Sequence, residues 1–180
     1  MHSPQLTSEH VAQVSGLVAA YISARRNDAL PLALPLTKTQ LEAMSGFFTP
    51  QVLNSTRLLV LGGIHVGNPP FYPTLRKMGF ADLPDFAMMN AVTFSDVVVS
   101  RERFTHGLLF HELVHVEQYR QLGIERFAGL YLRGFLSGGG YDGIPLEKNA
   151  YQLGDRFESN PNTLFSVHDE VAAWIRDGRF

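Results

Sequence analysis

Apolar residues recur at helical spacing over residues 7–28, where Val11, Val14, Leu17, Val18, Tyr21 and Ile22 share one face. Arg25, Arg26, Asn27 and Asp28 end the pattern. The spacing predicts an amphipathic helix packed on a core, with a detachable segment covering an active site as the bolder alternative. Residues 29–36 carry prolines at 31 and 35 and read as a linker. A second helix is predicted from Thr37. Gln40 completes a capping box, Leu36 and Leu41 suit a hydrophobic staple, and Leu41, Met44 and Phe47 form its buried face before Thr49-Pro50 stops it.

The pattern then changes period. Residues 57–61 form a short apolar run closed by Gly62-Gly63, which predicts a buried strand. Ile64-His65-Val66 is a possible continuation, with His65 an ordinary strand-end histidine. Residues 67–73 are turn and loop, and 74–79 suit a short helix. Residues 91–94 and 97–99, either side of Ser95-Asp96, predict a tight β-hairpin or a bulged strand. A long helix follows, with Ser100 as its predicted N-cap and Gly123 just past its end. Further helices are predicted at 124–136, from Pro145, and over 162–177; Ser137-Gly138-Gly139-Gly140 separates the first two as connector, hinge or active-site rim. Together these elements predict an α+β fold, mostly helical, with a small antiparallel sheet ahead of the long helix. The chain divides into an N-terminal helix and linker (1–35) and a main domain (36–180).

Composition narrows the function classes. With 180 residues, 45% of them hydrophobic, and a net charge of -2 on scattered charges, the chain reads as globular, with neither a nucleic-acid nor a membrane partner expected. No run approaches the length of a membrane span. The N-terminus lacks the pattern of a signal peptide, so a cytoplasmic location is expected. Cysteine is absent, so any zinc is held by His, Glu or Asp.

The chemistry concentrates in Phe110-His111-Glu112-Leu113-Val114-His115-Val116. This is H-E-x-x-H. On a helix His111 and His115 lie one turn apart on one face and can reach one metal ion. Glu112 sits beside the first of them, within reach of a metal-bound water without being a ligand. Zinc lowers the pKa of such a water to about 7, and a carboxylate can take its proton. A buried helix with two incidental histidines is the competing interpretation. Against it, Leu108, Leu109, Phe110, Leu113, Val114 and Val116 imply burial, and burying two His and a Glu is costly without a partner. A catalytic zinc takes three protein ligands, so a third donor is required. Gln118 and Gln121 break the extended H-E-x-x-H-x-x-G-x-x-H pattern and remove the metzincin option. Glu147, in the first turn of its helix, is the leading choice, although an acid there also suits the helix dipole. Asp142 and His168 are other possibilities. Glu125 needs a tight chain reversal, while Glu117 and His106 lie off the metal face.

The run from Thr93 to Gln118, with its hairpin followed by Leu-Leu-Phe-His-Glu-Leu-Val-His-Val-Glu-Gln, resembles bacterial zincin-like domains of the metallopeptidase type. The resemblance reaches Glu147 loosely. It implies a gluzincin-type site with His111, His115 and Glu147 as zinc ligands and Glu112 as general base, acting on a peptide or protein substrate. Thermolysin-like gluzincins carry an Asp four residues after the ligand Glu; here that position is Tyr151. This makes Tyr151, or else Tyr141, a candidate oxyanion donor. The hairpin is expected at the cleft edge, where an extended peptide could pair with it. The alternative is a non-catalytic module whose structural metal holds a surface for a protein partner.

Overall fold

Val97-Val98-Val99 is apolar at every position because it is covered on both sides. Val98 faces one hydrophobic cluster, and Val97 and Val99 face another. The computed structural model describes residues 8–80, 83–136 and 140–180. In chain order, α1 (Ser8–Ala29) leads through a single 3-10 turn to β1 (Leu34–Pro35). Then come α2 (Lys38–Met44), α3 (Pro50–Ser55), β2 (Arg57–Val60) and α4 (Tyr72–Lys77). The hairpin β3 (Ala91–Phe94) and β4 (Val97–Ser100) precedes α5 (His106–Leu122), α6 (Ile124–Gly134), α7 (Pro145–Ser159) and α8 (Val167–Arg176). The fold is α+β. The glycine loop at 137–139 lies outside the described residues.

The strands form one sheet in the order β1-β2-β4-β3. The hairpin is antiparallel as predicted, with Ala91 opposite Ser100 and Phe94 opposite Val97. Ser95 takes the left-handed turn conformation at φ 63°. The sheet as a whole is mixed, not antiparallel, because β2 runs parallel to β4, with Arg57 opposite Val97. Residues 61–90, including α4, supply the crossover that parallel pairing requires. The proline-punctuated segment 29–36, predicted to be a linker, contributes β1, which pairs antiparallel with β2. Of β2 only Leu58 is buried, while Val60 is exposed. Strand β3 is left at the edge.

Local signals set the helix starts. The Thr37–Gln40 capping box forms in full. Thr49-Pro50, expected only to stop α2, also starts α3: the Thr49 side chain accepts from the Val52 amide, and Pro50 occupies the first turn. Ser100 does not cap α5. It is the last residue of β4, with its hydroxyl donating to Asn90 and Glu102 carbonyls. Thr105 caps the helix instead, accepting from the Leu108 amide.

Helix α5 is buried on nearly every side. Phe110 stacks on Phe157 of α7 at 4.4 Å, and Phe47 and Phe48 meet its edge at 5.6 and 5.0 Å. At the other end of the contact Gln118 reaches Leu146, so α5 and α7 run antiparallel. Helix α1 packs along α6 and is tied to the hairpin by a bidentate ion pair, Arg26 to Asp96 at 2.6 and 2.8 Å. No helix among the described residues is long and apolar enough to cross a membrane.

Candidate metal centre

Antiparallel packing of α5 on α7 brings His111, His115 and Glu147 together. The Nε2 atoms of the two histidines lie 3.1 Å apart, and Oε2 of Glu147 lies 3.4 Å from His111 Nε2 and 3.3 Å from His115 Nε2. A tetrahedral zinc with bonds of about 2.0–2.1 Å requires ligand atoms about 3.3 Å apart. The three measured edges match that figure. Oε2 of Glu147 is buried and has no hydrogen-bond partner, because neither imidazole meets it in hydrogen-bonding geometry. A bare carboxylate oxygen facing two imidazole nitrogens at these distances suits a divalent cation. Among the described residues these three form a group able to hold a metal, with all donor atoms within 4.8 Å of one another.

The approach of α6 to the start of α7 depends on Gly134. A Cβ there would lie 2.6 Å from Pro145 Cδ and 3.3 Å from Ile144 Cα. The glycine lets α6 close against the start of α7, one turn before Glu147. Gly123, at φ 75°, makes the reversal from α5 into α6.

Hydrogen bonds from outside the group hold two of the three candidate donors, Glu147 and His115. Tyr131 Oη donates to Oε1 of Glu147 at 3.0 Å, which leaves Oε2 facing the two imidazoles. Gln118 is fully buried, and its Nε2 donates to the Leu146 carbonyl and to Asn149 Oδ1, both at 3.0 Å. That orientation turns Gln118 Oε1 toward His115 Nδ1 at 2.9 Å. Since Oε1 only accepts, Nδ1 carries the hydrogen, which leaves Nε2 as the nitrogen able to coordinate a metal. Gln118 therefore does for His115 what an outer carboxylate does in many zinc sites. Replacing it with Leu is expected to weaken zinc binding about 10–100-fold while the fold persists; competition titration against a chromogenic chelator measures this.

Burial alone would lower the pKa of His115. The charges of Glu147 and Glu112, together with the Gln118 contact, outweigh it and raise the value to about 9. Glu147 shifts the other way: burial opposes its charge, but the two histidines hold its carboxyl well below the usual range. In the metal-free chain the raised His115 contributes stability in full below its unfolded value of about 6.5, and loses it as pH rises through about 9. Glu147 contributes above its unfolded value and loses that contribution in acid. A metal must displace the His115 proton. Zinc affinity is therefore expected to climb about tenfold per pH unit from about 6.5 toward 9 and then level off, as calorimetric titration in a pH series would show.

Glu112 stands beside the donor group without joining it. Its Oε2 accepts from Thr93 Oγ1 of β3 at 2.6 Å, which holds the carboxylate at the edge strand. It lines both hollows at the site: an open cleft of about 620 Å³ shared with His111, Tyr141 and Tyr151, and a narrower cavity of about 130 Å³ shared with His115 and Glu147. Met89, Asn90 and Ala91, the approach to and first residue of β3, line the cleft, while residues 92–99 of the hairpin expected at its edge do not. No described residue of α1 or α2 lines the cleft, so the first helix does not cover it.

Tyr151 is half-exposed in the cleft, its ring 4.6 Å from that of His111. Burial and the charge of Glu147 raise its pKa and that of Tyr141, keeping both phenols protonated as donors. The rival ligands lie elsewhere. Glu125, Asp142 and His106 are exposed. Glu117 is buried but binds Arg120 at 2.8 Å and His168 at 2.9 Å, which also occupies His168. His65 is exposed. Sequence reasoning missed Gln118, Tyr131 and Thr93. Only Gln118 carried a signal, since it lies one turn past His115 on the ligand face.

No family model matches the chain, and no curated protein or solved structure matches it either.

Proposed function

We propose that the chain is a zinc-dependent metallopeptidase of the zincin type. The observation that carries this reading is the bare, buried Oε2 of Glu147 at tetrahedral ligand spacing from two Nε2 atoms, with Glu112 next to it at the head of an open cleft. His111, His115 and Glu147 would hold the ion. A His₂Glu set with no thiolate suits zinc, and three ligands leave a fourth position for reactants. Zinc, when bound, supplies an acidified water and polarises the scissile carbonyl.

The remaining work falls to the protein's own groups. Glu112 accepts the water proton and delivers it to the departing amine. Thr93, by donating to Oε2, orients that carboxylate toward the site. Tyr151 or Tyr141 donates to the developing oxyanion from the cleft wall. The free edge of β3 pairs with an extended peptide, as unpaired edge strands do. Zinc-loaded protein should cleave members of a quenched-fluorescent peptide library; a chelator should stop the reaction and added zinc restore it. Stoichiometric zinc with no cleavage of any peptide would instead favour a structural metal and a non-catalytic module.

A further inference from the structure

The open cleft of about 620 Å³ carries negative charge beyond the metal centre. Glu112 stands at its head, Asp85, Asp155 and Glu158 line it further out, and among the described residues no Lys or Arg does so. Helix α7 sets the spacing. Tyr151, Asp155 and Glu158 follow Glu147 at intervals that keep them on its side of the helix. Neither Asp155 nor Glu158 has an ion-pair or hydrogen-bond partner among the described residues, and the intervening Arg156 is turned away to Glu170 at 2.7 Å. Asp85 accepts from the Asn68 side-chain amide at 2.9 Å and the Ala87 N–H at 3.1 Å, neutral donors that do not offset its charge. Glu158 lies over the first turn of α5, where residue 107 is glycine and a Cβ would overlap its carboxylate. A ligand is called for independently at the head of the cleft: Glu147 is 3% exposed, and its unpartnered Oε2 faces His111 of the cleft wall.

We propose that the cleft takes a basic peptide segment, with Lys or Arg side chains facing Asp155 and Glu158. The inference rests on the metallopeptidase reading for the bond attacked and adds a substrate class to it: peptides positively charged to one side of that bond. Helix rise places Asp155 about 12 Å and Glu158 about 16 Å from Glu147 along α7, which an extended peptide covers in about three to five residues. The apolar wall suits the same side chains. Met88 is exposed at the cleft and Leu108 half-buried in it, so an aliphatic stem can lie against them while its charged head reaches the carboxylates. Unpaired charge of one sign in a concave site also raises the encounter rate with an oppositely charged ligand.

A labelled decapeptide with two arginines and its twin with citrulline in their place, equal in shape but uncharged, test this on the full chain. Fluorescence anisotropy with the metal-free protein reads binding without turnover. The arginine peptide should bind about 3–10-fold more tightly in about 0.05 M salt, and the preference should vanish in about 0.5 M salt. The double variant Asp155→Asn, Glu158→Gln should lose the preference and bind the citrulline peptide as the parent does. Glu9→Gln with Glu125→Gln changes the net charge equally at exposed positions outside the cleft and should keep it. Equal affinity for the two peptides, or a preference that survives in the Asp155, Glu158 variant, overturns the inference and leaves the metal reading standing. With zinc loaded, the arginine peptide should be cleaved with a KM about 3–10-fold lower and a similar kcat. Hydrolysis of neither peptide alongside an intact binding preference overturns the peptidase reading and supports the cleft as a site for basic peptides.

Discussion

Glu112→Gln is expected to keep zinc at the parent stoichiometry and to lower peptide hydrolysis about 10²–10⁴-fold. The substitution is nearly isosteric, and the amide oxygen can still accept from Thr93 Oγ1, which holds the present carboxylate at 2.6 Å. What disappears is the capacity to take a proton. None of the three ligand atoms belongs to Glu112, so the metal group is unaltered. The separation of metal content from turnover is the informative result. A variant that loses both would place Glu112 in the metal shell, and one that loses neither would remove it from the chemistry. Metal analysis and progress curves on the same preparation read the two quantities.

Glu147→Gln is expected to act in the opposite order, losing the metal first and activity as a consequence. Its Oε2 is the only carboxylate donor in the group. The loss in zinc affinity should exceed the about 10–100-fold that removal of an outer hydrogen-bond partner causes. The metal-free chain should change as well. Burial depresses the His115 pKa, and the Glu147 charge is the largest influence raising it to about 9. Without that charge the imidazole should titrate well below 9. Two-dimensional NMR of the imidazole resonances would follow the change, and an unaltered His115 titration would show that the two side chains do not face each other.

Much of the site was legible because helical geometry is regular. Residues four apart on an α-helix must share a face, so H-E-x-x-H fixed the relation of His111 to His115 before any tertiary contact was known. The position of Glu147 was legible only by elimination among acids, since the antiparallel packing of α7 on α5 that carries it to the histidines is a long-range contact that no periodicity encodes. Tyr131 shows the limit. In sequence it is one more apolar position on α6, and only the packing of α6 against α7 turns its hydroxyl onto Glu147. The valine run of β4 announced a strand but not its neighbours. Parallel pairing with β2 follows from the crossover through residues 61–90, a long-range choice that local pattern does not specify. The start of α5 was misplaced for a related reason: Ser100 has a capping side chain, yet its backbone is held in the ladder opposite Ala91.

The most direct test is the zinc content of the full chain, purified, loaded with excess zinc, dialysed and assayed beside His115→Ala. The parent should retain one zinc per chain and the variant almost none, with both showing the same far-ultraviolet circular dichroism. Equal retention by the two proteins, or none by either, would mean that the convergence of His111, His115 and Glu147 does not make a metal centre.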